Sequence, residues 1–136
     1  MFQNNLGDAI EIVHKTGATL VTLPEVAAYC SRYGIPYDQN GGCLHTGGSI
    51  VQKDVTIRAV FALHASDIMG KEYAEDNQLM PGSGACGMIL EPEGGVGVYF
   101  AGDTGLFGDM ELIGKLYRPQ VAILPVGGKY TMGVRE

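Results

Sequence analysis

Two residues stand where an apolar segment stops and a polar side chain can reach a ligand, Asp103 and His64. Asp103 follows the run Val98-Tyr99-Phe100-Ala101 inside Gly102-Asp103-Thr104-Gly105, just ahead of a helix-like segment. A carboxylate at such a strand end can be presented to a metal or a substrate. His64 closes a run in which Val55, Ile57, Ala59, Phe61 and Leu63 alternate with Thr56, Arg58 and Val60, the period of a half-buried strand. Imidazole nitrogen and carboxylate oxygen are donor types of catalytic zinc, which takes about three protein ligands plus a water whose pKa it lowers to about 7. Each residue also has a plainer reading. An Asp between glycines commonly serves a turn or an N-cap, and a strand-end His commonly faces water.

The remaining candidates carry less. His14 lies on a helix flank beside Lys15, where solvent is the expected partner, and His45 sits in a glycine-rich loop. Lys129, between Gly128 and Tyr130, is a cation that could neutralise Asp103 in place of a metal, with an ordinary surface lysine as the alternative. Cys30, Cys43 and Cys86 show no CxxC spacing and no even count, so they indicate neither a zinc knuckle nor a disulfide framework. They read as buried or idle thiols of a cytoplasmic protein.

The elements that must position His64 and Asp103 alternate between helix and strand. Ala9, Ile12 and Val13 predict a short amphipathic helix stopped by Gly17. Ala18–Leu23 reads as a buried strand, and Thr22, Pro24 and Glu25 suit a capping box and first turn of a second helix, with Gly34 as its stop. Ala65 to Gly84 is long for a connection in a compact domain and reads as a flexible or functional loop. Ala85–Glu91 and Val96–Ala101 flank a turn as a hairpin. Met110, Ile113, Leu116 and Tyr117 form a helical stripe, and Val121–Pro125 is a last buried strand.

The chain has 136 residues, 46% of them hydrophobic and 18% charged, enough for one ordinary core. Its 21 glycines include four adjacent pairs, Gly41-Gly42, Gly47-Gly48, Gly94-Gly95 and Gly127-Gly128, between short elements, which means tight turns. A net charge of −6 supplies no basic footprint for nucleic acid. No charged leader precedes an apolar stretch, and no apolar run approaches the ~18 residues of a membrane span.

The run Val98–Asp109 and its continuation to Tyr117 resemble the strand-end Gly-Asp-Thr element of the metallo-β-lactamase superfamily, in the branch called UPF0173 metal-dependent hydrolases. The resemblance extends from Leu6–Ile12 through Gly47-Gly48-Ser49 and Phe61–His64 to Leu124–Gly128 and Tyr130–Gly133. It implies an α/β fold, the central portion of an αββα sandwich with a mixed sheet and outer helices, as a single incomplete domain over residues 1–136. It also implies metal-dependent hydrolysis of an ester, amide or phosphoester bond through metal-bound hydroxide.

Of the family's seven metal-binding side chains, His64 and Asp103 are the counterparts here, Asp103 matching the residue that bridges two metals. The family's His-x-His-x-Asp-His cluster would precede Gly7-Asp8, yet Phe2, Asn4 and Asn5 stand at the positions of its second His, its Asp and its third His. The last metal-binding His of the family falls after Gly133, beyond the residues given. Zinc or another divalent metal is therefore expected to be weak or absent, and catalysis impaired or lost. The alternative is a non-catalytic oligomeric remnant that binds a small molecule or a protein in the old groove. Either way the uncovered apolar surface predicts a homo-oligomer, a dimer first of all, with Val21, Leu23, Ile57 and Phe61 near the contact.

Overall fold

The computed structural model describes residues 6–67, 81–82 and 84–136. The expected loop between Ala65 and Gly84 lies mostly outside the described residues. The chain divides into two compact units, Met1–Leu44 with Ser66–Ser83 and His45–Ala65 with Gly84–Glu136.

The first unit holds helices α1 (Ala9–Thr16) and α2 (Pro24–Ser31). Val13, Tyr29, Cys30 and Ile35 form its core, with Leu6, Ile10, Leu20, Val26 and Tyr33 packed against them. Ile12, expected inside beside Val13, is 53% exposed. The buried stripe instead runs through Leu6, Ile10 and Val13, spaced by four and three, and one position along a helix turns Ile12 away from it. Gly17 ends α1 at φ +67°, its N–H bonding to Val13 O, a left-handed cap that glycine adopts without steric cost.

Pro24 opens α2, as the sequence suggests, but the capping box does not form: the N-cap is Leu23, without a side-chain cap. The expected strand over Ala18–Leu23 is also replaced, among the described residues, by a single parallel bridge between Thr22 and Cys43. Thr22 is committed to that bridge, its N–H donating to Gly42 O at 3.0 Å and its carbonyl accepting from Leu44 N–H at 3.1 Å.

The two segments approach so closely that a Cβ on Gly42 would lie 2.2 Å from Leu20 O and 2.9 Å from Thr19 Cγ2. Gly42→Ala is therefore expected to destabilise the protein by about 1–3 kcal/mol through forced backbone shifts. Chemical denaturation followed by circular dichroism measures it, and an unchanged midpoint would mean that the bridge opens freely.

The second unit is a five-stranded sheet in sequence order: β1 (Ser49–Gln52), β2 (Val55–Ala62), β3 (Ala85–Pro92), β4 (Val98–Phe100) and β5 (Val121–Ile123). The first four strands pair antiparallel, and β5 joins β4 in parallel after the chain passes through helix α3 (Asp109–Tyr117). Parallel neighbours need such a crossover. The α/β class with a mixed sheet and helices is thus what the chain adopts.

Register separates the sheet's faces. Val60, Ile89, Tyr99 and Ala101 lie under α3 with Ile113, and Phe107, Met110 and Tyr117 pack around them. On that face Arg58 Nε donates to Glu91 Oε2 at 2.7 Å, and its guanidinium lies 5.6 Å from the Tyr117 ring centroid. The opposite face carries Ile50, Ile57, Leu90, Val98 and Val121 in one row across all five strands, and Ala59, Met88, Phe100 and Ile123 in the next.

Two expectations about burial fail here. Leu116, placed in the helical stripe, is exposed, because Ile113 and Tyr117 already fill the side of α3 that meets the sheet. Strand β5 is exposed at all three residues, since it is an edge strand with β4 on one side alone.

Candidate functional site

β2 and β4 deliver the two candidate ligands to one corner of the second unit. Beyond the end of β2, Leu63 forms an isolated antiparallel bridge with Gly105, in which Gly105 N–H donates to Leu63 O at 2.9 Å. His64 follows one partner of that bridge, and Asp103 precedes the other by two residues. Ala101 is fully buried at the end of β4, and Gly102 takes φ +65°, turning the chain so that Asp103 stands in a bend and half-buried. Asp103 is not a helix N-cap, because α3 starts later with Gly108 in that role.

Thr104 holds the corner together. It is 0% exposed, the one buried polar residue among those described. Its hydroxyl accepts the Leu63 N–H at 3.0 Å and donates to Gly105 O at 2.7 Å. Its carbonyl accepts the Met132 N–H at 3.0 Å. One side chain and its backbone thus connect the strand end before His64, the bend after Asp103 and the segment around Met132. The sequence reading passed over this residue. The available signal was a β-branched hydroxyl directly after an apolar strand, a place where a buried polar group must find partners.

The His64 ring is half-buried, and its Nδ1 lies 2.9 Å from Ala65 O. A carbonyl only accepts, so Nδ1 is the donor, and in the neutral form of the ring the lone pair falls on Nε2. That is the tautomer suited to a ligand or a proton acceptor.

His14 Nε2 pairs with Tyr33 O at 2.8 Å in the first unit, and His45 is exposed. Lys129 Nζ lies 4.9 Å from the centroid of the Tyr130 ring. The three cysteines are free, and burial pushes the thiols of Cys30 and Cys86 up from their ordinary pKa, which keeps them protonated and unreactive.

A metal can be tested against this donor set. Among the described residues no group of three or more His, Cys, Asp or Glu side chains is placed to hold one. His64 and Asp103 are of the right chemical type, but two donors fall short of the three or so that a catalytic zinc requires. The described residues do not by themselves fit a resident metal.

Residues 5–134 match the model of the beta-lactamase superfamily domain. The chain belongs to that family. A UPF0173 metal-dependent hydrolase of Methanopyrus kandleri is 43% identical over 133 residues, covering 98% of this chain and 54% of the relative. One of Desulfitobacterium hafniense is 41% identical, with 98% and 53% covered. Among solved structures, Igni18, a metallo hydrolase from Ignicoccus hospitalis, superposes with a TM-score of 0.72 at 31% identity, over 98% of this chain and 52% of that one. The chain therefore spans about half the length of the curated relatives it matches. No helix among the described residues is long and apolar enough to cross a membrane.

Proposed function

We propose that this chain is the part of a metal-dependent hydrolase domain that contributes His64 and Asp103 to the metal site, and that alone it binds metal weakly and catalyses little or nothing. The observation that carries the reading is the Leu63–Gly105 bridge: Thr104 brings the two donors to one corner, and no third donor joins them among the described residues. The relatives' printed names supply the reaction class, hydrolysis with a metal. The free cysteines suit a cytoplasmic protein in this reading.

Elemental analysis of the purified chain tests it. Well under one zinc, manganese or iron per subunit is expected, together with no turnover of generic phosphodiester, lactone and ester substrates. One or two tightly held metals per chain would overturn the proposal, as would a metal-dependent activity abolished by Asp103→Ala.

A homodimer belongs to the same reading, but not at all the residues the sequence suggested. Leu23 is 7% exposed and offers a partner little surface.

A further inference from the structure

Asn40 precedes Gly41 in an exposed loop of the first unit, and the space beside Gly41 is open, since a Cβ there would meet nothing within 4 Å. That pair carries a reaction of its own. The Gly41 nitrogen can attack Asn40 Cγ, the bond from Cγ to Nδ2 breaks, and ammonia leaves with the proton that Gly41 gives up. Water then opens the five-membered imide at either carbonyl, giving aspartate or isoaspartate. Each event replaces an amide by a carboxylate, so it is counted by charge and mass.

The fold sets conditions on the first step. Asn40 stands at φ 52° and ψ 27°, a left-handed conformation that asparagine tolerates better than most residues. At that ψ the Gly41 nitrogen is nearly opposite Cβ across the Cα–C bond, whereas ring closure needs the two on the same side. Gly41 N–H donates to Asp38 O at 3.0 Å, and Asn40 Nδ2 donates to Thr19 Oγ1 at 3.3 Å. The loop is fastened further by Cys43 N–H on Asp38 Oδ1 at 2.9 Å.

We infer that Asn40 is a site of spontaneous deamidation, and that local opening of the loop 38–43, not unfolding of the whole chain, sets its pace. The reacting groups lie at the surface, and what keeps them apart is a backbone angle held by the bonds of Gly41 and Asn40. Each such bond shifts the open population by roughly 2- to 10-fold. Breaking these alone leaves the helices and the core of Val13, Tyr29, Cys30 and Ile35 in place, so the loop opens far more often than the chain unfolds.

Peptide mapping by mass spectrometry of the full chain, incubated at neutral pH folded and in denaturing urea, is the test, with acid or isoaspartate at residue 40 as the readout. Folded wild type should convert at Asn40 on the order of 10- to 100-fold more slowly than the chain in urea. Thr19→Val keeps the shape but removes the acceptor of the Asn40 amide. It should speed conversion about 2- to 10-fold in the folded protein and leave the rate in urea unchanged.

No conversion at Asn40 in the folded chain by the time the expected rate would have produced it overturns the site. Equal rates folded and in urea, or a folded rate indifferent to Thr19→Val, overturn the role of the loop. Should Thr19→Val fail to fold, the wild type in urea below its unfolding midpoint decides. Conversion through the loop exposes little surface and hardly responds to urea, whereas a rate that climbs steeply with urea would show that global unfolding is required, against the inference.

Discussion

Ile89→Ala will lower the free energy of unfolding by about 2–5 kcal/mol, the largest loss expected from any single apolar truncation in the second unit. Ile89 is 0% exposed in the middle of β3, opposite Arg58 on one side and Tyr99 on the other. Val60, Tyr99, Ala101 and Ile113 surround it. Because both flanking strands hold register and α3 lies above, the walls have little freedom to collapse into the space a shorter side chain leaves. The comparison is Leu116→Ala, 65% exposed on α3, expected within about 0.5 kcal/mol of the parent. Urea titration of both variants at one fixed protein concentration measures the difference. Equal midpoints would show that α3 does not press on the sheet as described.

Thr104→Val will destabilise by about 1–3 kcal/mol, although valine keeps the shape, because it leaves the Leu63 amide without its acceptor inside the protein. Thr104→Ser retains the hydroxyl and gives up one methyl group, a change whose usual cost is about 0.5–1.5 kcal/mol. Amide hydrogen exchange separates the roles. In the valine variant, exchange at Leu63 and Gly105 should accelerate together while the β2–β3 ladder stays protected, and serine should restore slow exchange at both. If serine and valine behaved alike, packing rather than the hydroxyl would hold the corner.

The sequence was most legible where one residue type settles the local geometry. Gly17 ends α1, Pro24 opens α2, and alternation finds β2 and the β3–β4 hairpin. It misled where burial depends on distant neighbours. Val121–Ile123 reads as a core strand because its side chains are apolar, yet exposure there is set by the strand's place at the sheet edge, which no local pattern encodes. Ala18–Leu23 has good strand composition, but the structure gives it one bridging residue, so propensity finds too little to pair with. For the site, His64 and Asp103 could be named from the resemblance. That they share a corner could not, because the link between them is a hydroxyl bonded to an amide 41 positions away.

The order of the strands in the sheet has a kinetic consequence. Each strand lies beside its neighbour in sequence, but the closures differ in length: two residues connect β1 to β2 and five connect β3 to β4, whereas 22 separate β2 from β3 and 20 separate β4 from β5, so two hairpins can form ahead of the sheet. Contacts of short sequence separation form early, because little chain entropy is lost before they are made. β5 reaches the sheet only through the α3 crossover, and among the described residues β4 is its one strand partner. With three residues paired to β4, it is a strand able to detach in an excursion that leaves the other four paired.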